Sequence, residues 1–309
     1  MTLPRALRAE PTPARPGPGP LPEALLRALD VEIGRRVEGL LSGDYRATVL
    51  GTGTELAQVR PYVPGDDVRQ IDWNVTARTA EPHVRVQLAE RVMVTWLVLD
   101  ASASMRFGTA DRRKADVAEG VAIAVGHVAT RRGNRLGAVT FGTAKDSVLP
   151  PRQGRMALLG LLRALRDAED ADARDDSSLR AALTRAGAVA RQRALVAVVS
   201  DFRGPADWRR PLLELAGRHD VVAVEVRDPR EQELPSLGDL WLVDPETGEQ
   251  LRVDTRSARL RERFAAAAAD ERRAVARTFA QLGVRHVVVS TAGDWLRTLA
   301  LFLRGGRLR

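Results

Sequence analysis

From Val92 onward the chain alternates short apolar runs with amphipathic stretches, and few folds accept that pattern. The runs Val92–Leu99, Arg135–Phe141, Ala194–Ser200, Val221–Val226 and Val284–Ser290 read as strands. The stretches Ala115–Thr130, Arg155–Arg166, Ser178–Arg191, Ser257–Leu282 and Asp294–Leu303 read as helices between and after them. Strands made of Val, Leu and Ala without polar alternation are buried on both faces, and helical crossovers make neighbouring strands parallel. The pattern predicts an α/β fold: a doubly wound, mostly parallel sheet with helices on both faces. A hairpin insertion is expected over about 240–253, turning at Asp244–Gly248.

Ahead of the sheet the composition changes. Residues 1–20 are rich in Pro, Gly and Arg and read as a disordered tail. Residues 21–91 read as an N-terminal extension, with a short helix from Pro22 that puts Leu25, Leu26 and Leu29 on one face. Within it, Pro82–Leu88 alternates as a strand should. Residues 92–309 form the main domain. No apolar run reaches the roughly 18–20 residues that span a bilayer, and the N-terminus lacks the apolar core of a secretory signal. A cytoplasmic protein without a membrane span is the expectation.

Open α/β sheets bind ligands at the carboxyl ends of their strands, and three loops there carry oxygen donors. Asp100-Ala-Ser102-Ala-Ser104 follows the first strand. Asp175-Asp176-Ser177-Ser178 leads into the helix that starts near Leu179, and Ser200-Asp201-Phe202-Arg203-Gly204 follows another apolar strand. Alone, the first of these reads equally well as a turn or helix cap. Together they offer Asp100, Ser102, Ser104, a hydroxyl at Ser177 or Ser178, and Asp201. Hard oxygens of this kind suit Mg²⁺, with Mn²⁺ or Ca²⁺ as alternatives. The set resembles the metal-ion-dependent adhesion site of von Willebrand factor type A domains, whose pattern is Asp-x-Ser-x-Ser, a threonine opening a helix, and a later aspartate. Spacing to Leu179, Ala182 and Leu183 makes Ser177 the counterpart of that threonine, with Ser178 or Asp176 as substitutes. Two carboxylates do no more than balance a divalent ion, and with neutral hydroxyls filling few positions the ion can accept a partner's carboxylate.

Upstream lies a longer signature, Arg60-Pro-Tyr62-Val-Pro-Gly65-Asp66-Asp67-Val-Arg69-Gln-Ile-Asp72-Trp73, continuing to Arg78. Pro64-Gly65 marks a tight turn, Asp66 and Asp67 can cap backbone amides, and the arginines alternate with acids as ion-pair partners. These residues are expected to form a buried polar network pinning the extension to the sheet, with Trp73 in the core, rather than a partner- or nucleotide-facing surface. With the Asp-x-Ser-x-Ser strand end and Val199-Ser-Asp-Phe-Arg-Gly204, this run resembles the bacterial family known as domain of unknown function 58. The resemblance spans about Val31 to Leu303. It implies a von Willebrand factor A-like domain with an N-terminal extension, working with a MoxR-type AAA+ ATPase and its client proteins.

Other function classes find less support. The chain has no cysteine, which excludes thiolate chemistry, and its four histidines have no metal-ligand spacing. A metal-assisted hydrolase lacks an identifiable base, a phosphate loop and a nucleophile elbow. The net charge of +8 comes from 48 basic residues, 46 of them arginine, spread along the chain beside 40 acids. That distribution is not a nucleic-acid face, and no nucleic-acid partner is expected. The expected function is non-enzymatic and Mg²⁺-dependent: an adaptor or co-chaperone that binds an acidic side chain.

Overall fold

The computed structural model describes residues 13–27, 50–88, 93–130, 134–144, 146–169, 178–244 and 247–305. They belong to two compact units, one within Met1–Val37 and Val94–Arg309, the other within Glu38–Met93.

The larger unit is built on a six-stranded sheet. Its strands are β3 (Val94–Asp100), β4 (Arg135–Phe141), β5 (Ser147–Gln153), β6 (Leu195–Ser200), β7 (Asp220–Arg227) and β10 (Arg285–Ser290), in the spatial order β10-β7-β6-β3-β4-β5. All neighbours are parallel except β4 and β5, which pair antiparallel. The order reverses between β3 and β6, so the loops after those two strands diverge from a common crevice.

Side chains alternate across the sheet with period two. Leu97, Leu99, Ala197, Val199, Val222 and Val224 face one layer of helices, and Trp96, Val98, Val196, Val198 and Ala223 face the other. The first layer includes the helix Lys114–Ala129, which buries Val117, Val121, Val125 and Val128, and the helix Trp295–Gly305. The second includes the helices Leu179–Val189 and Arg209–Ala216, and Phe279 from the long helix Ala258–Gln281. The expected elements are present, their ends within a few residues of expectation. The hairpin also forms, as β8 (Asp239–Val243) and β9 (Gln250–Asp254). Edge strand β5 went unanticipated, because Pro150 and Pro151 argue against a strand. An edge position tolerates them, since it leaves amide positions unpaired.

The N-terminal segment corrects the expected boundaries. Residues 13–20 are not a free tail. Arg15 N donates to Asp111 O (2.7 Å), Arg112 Nη1 donates to the carbonyls of Arg15 and Gly17 (both 3.0 Å), and Trp295 Nε1 donates to Pro18 O (3.0 Å). Residues 23–27 are helical, and Leu21, Leu25 and Leu26 pack on the main core. The segment therefore belongs to the sheet domain rather than to the extension. Leu29 lies outside the described residues.

In the smaller unit, β1 (Leu50–Pro61) pairs antiparallel with β2 (His83–Leu88), with the helix Trp73–Thr79 between them. Val63-Pro64-Gly65-Asp66 closes a turn through Asp66 N and Val63 O (3.0 Å), with Gly65 at φ 110° where only glycine is comfortable.

Candidate metal site

Asp100 ends β3 with its side chain buried, 7% exposed. Its carboxylate accepts from two hydroxyls and an amide. Ser102 donates to Oδ1 from its amide (3.0 Å) and its hydroxyl (2.5 Å), and Ser200 Oγ donates to Oδ2 (2.5 Å). Ser102 precedes the 3-10 turn Ala103–Arg106 but makes no capping bond with its side chain, so the hydroxyl stays in the site. Ser104 Oγ lies 3.2 Å from Ser102 Oγ, and the Ser104 side chain also bonds Asp201. The four residues Asp100, Ser102, Ser104 and Asp201 thus converge at the carboxyl edge.

The backbone around them is shaped to allow this. Gly142, just past β4, has φ 92°, and a Cβ there would lie 2.6 Å from Ser102 N. Its lack of a side chain lets the Asp-x-Ser-x-Ser loop lie against the neighbouring strand end. After β6, Phe202 takes a left-handed φ of 52°, an uncommon and strained conformation for a bulky residue. Its ring is fixed edge-on against Trp208 and Phe279 at centroid distances of 5.6 and 4.9 Å. In this turn Phe202 N donates to Ser200 Oγ (3.0 Å) and Arg203 N to Asp201 Oδ1 (3.1 Å). The far end of the Asp-x-Ser-x-Ser loop is tied down by the fully buried Asp228. Its carboxylate accepts from Thr109 N (2.8 Å), Thr109 Oγ1 (2.5 Å) and Thr291 Oγ1 (2.7 Å).

The two site carboxylates differ in character. Burial, together with the negative charge of Asp201, pushes the Asp100 carboxyl up to about 6. Burial also works against Asp201, but the Lys114 ammonium beside it, with bonds from Arg203 N and Ser104, holds it below the usual carboxylate range. Lys114 Nζ donates to Asp201 Oδ2 (2.7 Å) and to Glu231 Oε1 (2.6 Å).

These donors fit a small hard cation. Oxygens bound side by side on one octahedral Mg²⁺ at about 2.1 Å sit about 3.0 Å apart, and the Asp100–Ser102 and Ser102–Ser104 oxygens are 2.5 and 3.2 Å apart. Asp100 is a buried carboxylate whose charged form is disfavoured where it stands, and a divalent ion would relieve it. Among the described residues no three Asp, Glu, His or Cys side chains form a metal-binding group, so any ion here would rely on serine hydroxyls. Ser177 and Asp176 lie outside the described residues. Ser178 is exposed and caps its helix, accepting from Ala181 N (3.3 Å).

Sequence reasoning did not single out Lys114, Ser200 or Glu231. Lys114 did carry a signal: it is one of only two lysines among 48 basic residues. A compact ammonium stands here in a chain whose basic residues are almost all arginine.

The upstream signature makes local bonds within its own unit. Arg60 grips Asp66 with two bonds (2.8 and 2.7 Å), and Asp66 also accepts from Val63 N (2.9 Å). Asp67 caps the short turn Val68–Gln70 through Arg69 N (2.9 Å). Asp72 caps the helix through Asn74 N and Val75 N and pairs with Arg85 (2.8 Å), rather than with Arg69 or Arg78. Tyr62 N donates to Pro82 O (2.8 Å). Trp73 corrects the expectation of a core residue: it is 70% exposed. As the first residue of the capped helix its position is set by the Asp72 cap and needs no burial of its ring. Arg69 and Arg78 are also exposed.

The family described as "Protein of unknown function DUF58" matches residues 58–274. The chain belongs to that family. Rv1480 of Mycobacterium tuberculosis (strain ATCC 25618 / H37Rv), described as an uncharacterized protein, is 41% identical over 284 residues, covering 92% of this chain and 89% of its own. Among solved structures, BatB from Bacteroides thetaiotaomicron is 12% identical with a TM-score of 0.45, covering 69% of this chain and 98% of that one. A von Willebrand factor type A protein from Catenulispora acidiphila is 16% identical with a TM-score of 0.35, covering 69% and 41%. At these values the strand order, not the superposition, carries the fold assignment. This DUF58 protein has a doubly wound α/β sheet, parallel but for the edge strand β5. No helix among its described residues is long and apolar enough to cross a membrane.

Proposed function

We propose that this DUF58 protein is a non-enzymatic protein-interaction module that works through a divalent cation, Mg²⁺ first among candidates. What supports the reading is the convergence of Asp100, Ser102, Ser104 and Asp201 at the switch point of the sheet, with Asp100 buried on hydroxyls. Asp100 and Asp201 would supply charge, and Ser102 and Ser104 neutral oxygens. An ion so held, its charge no more than balanced by two carboxylates, keeps an open position for a carboxylate from an acidic partner. Ser177 remains our candidate for a further hydroxyl ligand. The protein partner we propose is a MoxR-type AAA+ ATPase, with this chain as adaptor or co-chaperone for its clients. An ATP-driven partner places that work in the cytoplasm.

The test is capture of purified MoxR-type ATPase by the full chain, with Mg²⁺ or with chelator, beside an Asp100→Ala variant. Capture should need both Mg²⁺ and Asp100. Equal capture in chelator, or by a folded Asp100→Ala protein, would sink the proposal. Mg²⁺-dependent turnover of a phosphoester or peptide would instead restore the hydrolase alternative.

A further inference from the structure

Lys114 is among the largest fully buried side chains in the described residues, with no exposure to solvent. It opens the helix Lys114–Ala129, yet its ammonium reaches across the carboxyl edge to two carboxylates 87 and 117 residues away in sequence. Both acceptors are themselves fixed. Glu231 Oε1 also takes Arg203 Nη1 (3.1 Å), and Glu231 Oε2 takes Asp228 N (3.1 Å). Asp201 turns Oδ1 to Arg203 N and Oδ2 to the ammonium, while sharing a bond with Ser104. A resident cation therefore occupies one side of the carboxylate whose other contacts lead to the hydroxyl ring. An ammonium and a divalent ion on the same carboxylate repel each other, strongly so in a buried site.

We infer that Lys114 is a built-in competitor for the divalent ion at Asp201, and that it sets the affinity of the site. The inference rests on the metal-dependent reading above and gives it a regulatory consequence. Because the ammonium weakens ion binding, a partner carboxylate that completes the ion's shell adds what the protein withholds. Ion and acidic partner then bind cooperatively, each raising the other's affinity by the same factor.

The test uses the full chain, stripped with chelator, titrated with Mn²⁺ and followed by spin resonance and calorimetry. Two variants are compared: Lys114→Met, and Lys114→Met with Glu231→Gln. The double variant removes the ammonium and one of its carboxylates together, so net charge is unchanged and only one buried carboxylate loses its partner. Lys114→Met should bind Mn²⁺ at least about tenfold tighter than wild type, and the double variant at least about threefold tighter. Unchanged or weaker binding in the folded double variant overturns the inference and leaves Lys114 as scaffold. If the double variant is unfolded in chelator, folding on Mn²⁺ addition supports the inference, and failure to fold in Mn²⁺ overturns it. Should wild type bind no ion while the double variant does, the interaction-module reading falls and the inference stands. Should neither bind, both fall.

Discussion

Replacing Asp100 by Asn should make the metal-free protein more stable, the opposite of what loss of a buried hydrogen-bonded residue ordinarily does. The carboxyl stands at about 6 in the fold against an ordinary 3.8, chiefly from burial and then from Asp201. Each tenfold change in acidity is worth about 1.4 kcal/mol, so ionising Asp100 in place costs at most about 3 kcal/mol at neutral pH. The side-chain amide keeps the shape. Its oxygen still accepts from Ser102, and its nitrogen can donate to Ser200 Oγ, which rotates to receive it. Allowing for weaker bonds to a neutral acceptor, the expected gain is about 1–3 kcal/mol. The assay is urea denaturation in chelator at several pH values. The sign is fixed by linkage: a carboxyl with a raised pKa lets the folded chain bind more protons than the unfolded one between about 4 and 6, so wild-type stability falls as pH rises through that window. The advantage of Asp100→Asn should therefore be full near neutrality and vanish only below the ordinary 3.8, where the folded and unfolded carboxyls are both protonated. In millimolar Mg²⁺ the order should reverse, because only wild type gains the ion. An Asn variant less stable than wild type in chelator at neutral pH would refute the reasoning.

Four further outcomes follow from the structure. Ion binding must displace the proton on Asp100, so affinity for Mn²⁺ should be about tenfold weaker near pH 5 than near pH 7.5, and a pH-independent affinity would contradict this. Gly142→Ala should cost about 1–3 kcal/mol in denaturant and weaken Mn²⁺ binding, because its methyl would strike the backbone of Ser102 at a left-handed φ; calorimetry indistinguishable from wild type would show that the contact is dispensable. In the smaller unit, Asp72→Ala should lower the melting temperature by removing a helix cap and the partner of Arg85. Trp73→Ala should change stability by less than about 0.5 kcal/mol, and a larger loss would return Trp73 to a core role.

The sheet was legible because buried parallel strands write themselves as continuous Val, Leu and Ala runs, and its longer helices as 3.6-residue periodicity; the eight-residue helix Arg209–Ala216 was too short to be read that way. Strand β5 was not, since Ser-Val-Leu-Pro-Pro-Arg-Gln satisfies no local rule and depends on pairing with β4 at an edge. The N-terminal segment misled for a related reason. Its Pro and Gly content describes local flexibility, whereas its order comes from Arg112 and Trp295, far away in sequence. Asp100, Ser102, Ser104 and Asp201 could be placed together because topology alone sends the ends of β3 and β6 to one crevice. Lys114, Ser200 and Glu231 could not, because their partners are decided by side-chain reach within the folded loops. Trp73 was misjudged by the usual burial of tryptophan; its neighbour Asp72, a helix cap, was the residue with structural work there.

One titration tests the oxygen site most directly. Chelator-stripped protein is titrated with Mn²⁺, beside a folded variant carrying Ser102→Ala and Ser104→Ala. One ion per chain on wild type, lost from the variant and displaced by Mg²⁺, is the predicted result. Equal binding by both proteins would contradict a site built on Asp100, Ser102, Ser104 and Asp201.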